Sequence, residues 1–287
     1  MKLTKNTLRR FSEWRIVVAL VVACGTATAA WATTQHAERG VDEQIESYAL
    51  GGTAHALVVL PPGYSTSRLR YPVVYFLHGL PAAGSAYRAN GWVGDALLDA
   101  GPAILVVPQA SRDTDTDPEY LNWGRGREWE TFVAEELPHW VDAHFRTIPA
   151  RRGRALVGVS AGGYGATILG LHHLGSFAVI ESWSGYFHPT DPSGILALPR
   201  GAITNVHLQI PALRSDERVR PTFFAFYVGG GDDRFRPENV RLNRELTAAH
   251  VPHVFAIYRG GHTTSLWEAH AAAWLTMALR HLAAPQR

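Results

Sequence analysis

Cysteine is almost absent from this 287-residue chain: Cys24 is the only one, and it lies in the apolar segment near the N-terminus. The body of the protein therefore has no internal disulfide, no zinc-thiolate cluster and no cysteine nucleophile, and its stability has to come from packing. Lysine is equally scarce. Lys2 and Lys5 are the only two, which leaves the rest of the chain without an amine for a Schiff base and without the lysine of a phosphate-binding loop. An excess of one charge is missing as well. The formal net charge of +2 includes Lys2, Lys5, Arg9, Arg10 and Arg15 against Glu13 alone, so without them the balance is near −2. With its arginines scattered, such a chain has no electrostatic footprint for nucleic acid. No H-E-x-x-H occurs. Asp113, Asp115 and Asp117 begin like a calcium loop, but Pro118 stands where the sharp-turn glycine belongs and Gly124 where the bidentate glutamate belongs. No metal and no cofactor are expected.

Long apolar runs are limited to one, residues 16–23 (IVVALVVA), which follows a basic stretch and precedes the small-residue sites Ala27-Thr28-Ala29 and Ala30-Trp31-Ala32. This pattern predicts a signal peptide over 1–32 and an exported protein, secreted or associated with the cell envelope. The alternative is an uncleaved N-terminal anchor that attaches the protein to a membrane. Val21 to Cys24 also resembles a lipoprotein box, against which stands a chance cysteine in an apolar segment. Residues 33–52 read as a polar linker ending in Gly51-Gly52. The remaining 53–287, in a chain of 46% hydrophobic and 18% charged residues, suit one large α/β domain.

Short apolar runs alternate with longer helical patterns in that domain. Strands are expected at 54–60, 73–77, 104–107, 155–159, 177–180, 223–228 and 254–258, and helices at 129–145, 161–174, 237–250 and 266–282. The alternation predicts an α/β fold, a mostly parallel doubly wound sheet with helices on both faces. The proline-broken segment 187–220 reads as a small cap. In such sheets the chemistry lies where strands run into loops at their carboxyl ends.

Polar signals fall at those junctions. Gly158-Val159-Ser160-Ala161-Gly162 matches G-x-S-x-G, with an apolar strand before Ser160 and a small-residue helix start after it, the setting of a nucleophile elbow. A hydroxyl needs a base, and the base a carboxylate to orient it. His262 follows Gly260-Gly261 at the end of the last strand. Between these two, Asp232 and Asp233 follow Gly229-Gly230-Gly231. Only one of the pair can face the histidine, and Asp233 is assigned to it, with Asp232 left as the alternative and as the helix-start residue. The oxyanion donors expected are the backbone N–H of Ala161 and that of Leu80, since Pro81 has none. His78 reads as a residue that shapes this loop. Trp92, Tyr120, Trp123 and Trp129 are candidates for a substrate pocket, although aromatic residues in a domain of this size more often belong to the core.

These residues resemble the α/β-hydrolases of the esterase D type, whose secreted branch includes the antigen-85 mycolyltransferases. The resemblance runs over about 57–274. It rests on VVYFLHGL (73–80), Trp92, WETFVAEEL (129–137), GVSAGGYG (158–165), SGYF (184–187) and Gly260-Gly261-His262 with Trp267. It implies the α/β-hydrolase fold, a triad of Ser160, Asp233 and His262, and oxyanion donors at Leu80 and Ala161. The implied reaction is that of a serine carboxylesterase on a small-molecule or glycolipid ester, with acyl transfer to a sugar hydroxyl as the alternative. A non-catalytic carbohydrate- or lipid-binding protein on the same fold is the third reading. The mycolyltransferases that resemble this chain have Asp, Arg and Trp where it has His78, Pro81 and Thr264. Those residues shape the trehalose and acyl site there, so the general esterase reading stands ahead of mycolyl transfer.

Overall fold

Unbroken apolar runs such as VVYFL and ILVVP require a strand covered on both faces, and the computed structural model supplies that cover. It describes residues 40–115, 119–189, 203–219 and 221–287; the expected leader and the start of the expected linker lie outside them. Among the described residues eight strands make one sheet: β1 (Val41–Ser47), β2 (Gly52–Val59), β3 (Val73–Leu77), β4 (Ile104–Pro108), β5 (Arg154–Val159), β6 (Val179–Trp183), β7 (Phe223–Gly229) and β8 (His253–Tyr258). Their spatial order is β1-β2-β4-β3-β5-β6-β7-β8. Pairing is antiparallel through β1, β2 and β4 and parallel from β4 to β8.

Helices close both faces. On one lie α2 (Trp129–Thr131), α3 (Leu137–His144), α4 (Ala161–His172), α5 (Val206–Leu213) and α6 (Arg236–Ala248); on the other α1 (Gly91–Ala100) packs beside α7 (Thr264–Arg280). β3 shows the division residue by residue, with Val73, Tyr75 and Leu77 in the first core and Val74 and Phe76 in the second, the period of two that a strand imposes.

Three expectations change. The polar linker over 33–52 ends in a strand: VDEQIES alternates, burying Ile45 and Ser47 while Asp42, Gln44 and Glu46 face solvent, as an edge strand in an antiparallel hairpin does. The helix expected over 129–145 is interrupted by a wide π turn at Phe132–Glu136, just before Pro138, which has no N–H to give to the carbonyl four residues back. Of the segment read as a cap, residues 190–202 and 220 lie outside the described ones, and residues 203–219 contribute α5, whose Val206, Ile210 and Leu213 are buried in the core. His207 ties α5 to α6, its ring nitrogens 2.5 Å from Glu245 and 3.2 Å from Glu238. Helix α1, with two glycines in ten residues, carried too weak a local signal to be anticipated.

One buried carboxyl has consequences for stability. Glu181 on β6 is fully buried; its Oε2 accepts a hydrogen bond from Trp183 Nε1 at 3.2 Å, and no ion-pair partner faces it among the described residues. Burial raises its pKa well above the ordinary value, a shift the Trp183 bond only partly offsets. The folded protein thus keeps a proton that the unfolded chain releases above about pH 4.5, so the group costs stability as pH rises, up to roughly 1 kcal/mol per pH unit. Glu181→Gln keeps the acceptor for Trp183 and removes this slope. Thermal unfolding from pH 4 to 8 should show the variant equal to the wild type at the acid end and increasingly more stable above it; parallel curves would refute the assignment.

Candidate active site

β5 ends at Val159 and α4 begins at Ala161, so Ser160 alone makes the turn between them. It does so with φ of 56° and ψ of −121°, a region that side-chain-bearing residues rarely occupy and that persists where the surroundings enforce it. One enforcing contact is the bond from the Ser160 N–H to the Trp183 carbonyl at 2.9 Å. Another is the absence of side chains beneath the turn. A Cβ on Gly162 would lie 1.9 Å from the Leu77 carbonyl oxygen, so only glycine lets α4 start this close to β3.

The Ser160 hydroxyl lies 2.9 Å from His262 Nε2, to which it donates, and His262 Nδ1–H donates to Asp232 Oδ2 at 2.8 Å. These three residues come from the loops after β5, β7 and β8, 102 and 30 residues apart along the chain. The β7 and β8 loops are bound to each other: the Gly230 and Gly231 N–H groups donate to the Tyr258 and Gly260 carbonyls, each at 2.7 Å. Gly229 permits this approach, since a Cβ there would meet the Gly260 oxygen at 2.6 Å.

The acidic partner is therefore Asp232 and not Asp233. The turn closed by the Asp232 N–H on the Gly229 carbonyl rolls the Asp232 side chain inward, where Oδ1 also accepts the Phe235 N–H at 3.1 Å. Asp233 points the other way. Its side chain is 89% exposed and meets Arg236 at 3.2 Å on the surface. Adjacent residues in a tight turn face opposite sides, and the sequence contains no marker of which one faces in.

Around the imidazole, Phe235 packs at 5.0 Å between ring centroids and Trp267 edge-on at 5.0 Å. Trp267 is fixed in turn by its Nε1–H, which donates to Ser184 Oγ at 3.1 Å. A cleft of about 760 Å³ opens over Ser160, with Leu80, Trp92, Tyr186, Phe235 and Trp267 among its apolar and aromatic walls and Arg234 and Glu268 among its charged ones. Of the four aromatic candidates, Trp92 lines this cleft, Tyr120 and Trp129 are buried in the core, and Trp123 packs against it. Phe235 went unnoticed in the sequence, although its place two residues after the acidic pair is the signal that could have found it. His78, Pro81 and Thr264 also line the cleft. None of the described residues of 203–219 does.

Ala161 follows Ser160 as the first residue of α4, and Leu80, in the loop after β3, lines the same cleft as Ser160. Neither N–H is bonded to another described residue. The helix start leaves the Ala161 N–H free by geometry, and the aligned peptide dipoles of α4 favour negative charge there. Among the described residues, no group of three or more His, Cys, Asp or Glu side chains is placed to hold a metal ion, and no helix is long and apolar enough to cross a membrane.

A family model described as "Putative esterase" matches residues 47–277. Esterase Rv1288 of Mycobacterium tuberculosis is 34% identical over 143 residues, covering 50% of this chain and 31% of that protein. The diacylglycerol acyltransferase/mycolyltransferase Ag85C of Mycobacterium leprae is 27% identical over 174 residues, covering 50% of this chain and 49% of that protein. The chain thus spans half or less of the length of these relatives. Among solved structures, a ferulic acid esterase superposes with a TM-score of 0.72 at 25% identity, over 85% of this chain and 99% of its own. The fold is that of the α/β-hydrolases.

Proposed function

Because the chain belongs to the esterase family whose model spans 47–277, we propose that it is a serine carboxylesterase with Ser160, His262 and Asp232 as its triad. The observation that carries this reading is the continuous line of bonds from the Ser160 hydroxyl through His262 to Asp232, at 2.9 and 2.8 Å. In this reading Ser160 Oγ attacks the ester carbonyl as His262 Nε2 takes its proton. The Leu80 and Ala161 N–H groups hold the oxyanion of the tetrahedral intermediate. His262 then passes the proton to the departing alcohol, which leaves an acyl-Ser160. Water, deprotonated by the same imidazole, releases the acid and restores the serine. Asp232 keeps the imidazole in the tautomer that presents Nε2 to Ser160 and stabilises the imidazolium.

A cleft of about 760 Å³ suits a small-molecule ester, and the likeness to a mycolyltransferase supports a glycolipid ester as the alternative substrate. Similarity to an acyltransferase supports a second reading, in which a sugar hydroxyl replaces water at the acyl-enzyme. The basic stretch and apolar run at the N-terminus support export, through a cleaved signal or an anchor.

The test uses the protein without residues 1–32 against nitrophenyl esters of short, medium and long acyl chains, with and without a sugar acceptor. A fluorophosphonate probe is added and the adduct located by mass spectrometry. Turnover with the adduct on Ser160 is the expected result, and a sugar ester among the products would select the second reading. A folded protein with neither turnover nor adduct would sink both and leave a binding protein.

A further inference from the structure

Glu119 and Tyr120 stand side by side in the left-handed region of backbone space, with φ of 47° and 63°, and both are buried. Two successive non-glycine residues keep that conformation only where the surrounding structure holds them in it, and such sites cluster around function. Their side chains reach two parts of the cleft. The Tyr120 hydroxyl donates to the His78 carbonyl at 2.7 Å, and Glu119 Oε1 accepts the Tyr186 hydroxyl at 2.5 Å. Tyr186 is a wall of the cleft and packs at 5.2 Å from Phe235, the ring that covers His262.

The carbonyl held by Tyr120 belongs to the peptide between His78 and Gly79. The next peptide carries the Leu80 N–H, and it is held by the His78 side chain, whose Nδ1–H donates to the Gly79 carbonyl at 2.8 Å. Burial, partly offset by this bond, holds the His78 imidazole below its ordinary pKa, so the ring is neutral with its one proton on Nδ1. The ring sits edge-on to Tyr120 at 6.2 Å. In a trans peptide the C=O and N–H point in opposite directions, so fixing the Gly79 carbonyl fixes the direction of the Leu80 N–H. Donation to that carbonyl also polarises the N–H. Gly79 itself lies against the serine, for a Cβ on it would be 3.0 Å from Ser160 Cβ.

We propose that Tyr120 and His78 are positioning residues that aim the Leu80 N–H at the developing oxyanion, each pinning one of two successive peptide planes. The proposal rests on the reading of Leu80 as an oxyanion donor. It explains why a strained dipeptide is retained beneath the cleft: the left-handed turn brings the Tyr120 hydroxyl under the loop after β3 while Glu119 holds the facing wall.

Tyr120→Phe removes one oxygen and keeps the ring. Expected is a fall in kcat of roughly ten- to a hundredfold, with KM within about twofold. Affinity for an aryl boronate, which forms an anionic tetrahedral adduct with the serine, should weaken by the same factor. Affinity for an uncharged carboxamide analogue of the substrate should stay unchanged. Equal weakening of both analogues would indicate general loosening of the cleft and overturn the proposal, as would a kcat within twofold of the wild type. If Tyr120→Phe does not fold, His78→Phe, which keeps a ring but has no Nδ1 donor, is judged by the same standard. Ser160→Ala is measured alongside. Wild-type-like activity in Ser160→Ala means that the reading of Ser160 as the nucleophile fails, whereas an inactive Ser160→Ala beside an unaltered Tyr120→Phe means that only the positioning role fails.

Discussion

Asp232→Asn lowers kcat on a nitrophenyl ester by about four orders of magnitude, while Asp233→Asn stays within about twofold of the wild type. The contrast follows from which oxygen is already engaged. Asp232 Oδ1 accepts the Phe235 N–H and Oδ2 accepts His262 Nδ1–H. In the asparagine variant the amide oxygen takes the Phe235 bond, because the amide nitrogen cannot accept it. The NH₂ group then faces His262 and requires Nδ1 to accept. That places the imidazole proton on Nε2, where it blocks transfer from Ser160. Asp233, 89% exposed against Arg236, forms a surface pair worth at most about 1 kcal/mol. Comparable losses in the two variants would mean that the loop after β7 is not held as described.

Ser160→Ala has a larger effect, a loss of roughly five to six orders of magnitude in kcat together with loss of fluorophosphonate labelling. The substitution keeps the Cβ that rests against Gly79 and deletes only the hydroxyl. The backbone strain at φ of 56° is unchanged, so the thermal midpoint should shift by only a few degrees and the loss can be assigned to chemistry. Residual turnover above about one percent of wild type, in protein free of wild-type enzyme, would place the nucleophile elsewhere.

Most of the parallel sheet was legible because its strands are continuous apolar runs, and seven of the eight fall at or within three residues of the expected positions. β1 was not legible. Its single strongly apolar inward residue is Ile45, and what makes it a strand is the register it forms with β2, a property of two segments. The interruption at Phe132–Glu136 was likewise hidden, because Trp129, Phe132, Val133 and Leu137 keep the apolar spacing of one helix. Within the segment read as a cap, the burial of α5 was not legible for the same kind of reason: proline breaks mark an irregular segment but do not say which surface it covers.

By itself the sequence determined that this chain has a serine on a strand-to-helix turn and a histidine after a glycine pair. It also determined that no thiol or amine in the body of the protein competes for a nucleophile's role. Those are local facts, since the elbow needs Gly158, Ser160 and Gly162 at fixed spacing and the absences need only counting. Tertiary structure decided which carboxylate faces the histidine and that Trp92, not Tyr120, lines the cleft. It also decided that Tyr120 instead holds the loop carrying Leu80. Each of these depends on the direction of a side chain relative to another loop. The bonds that lock the β7 and β8 loops together, and the close approach that Gly229 and Gly162 allow, exist only after the strands have been brought side by side.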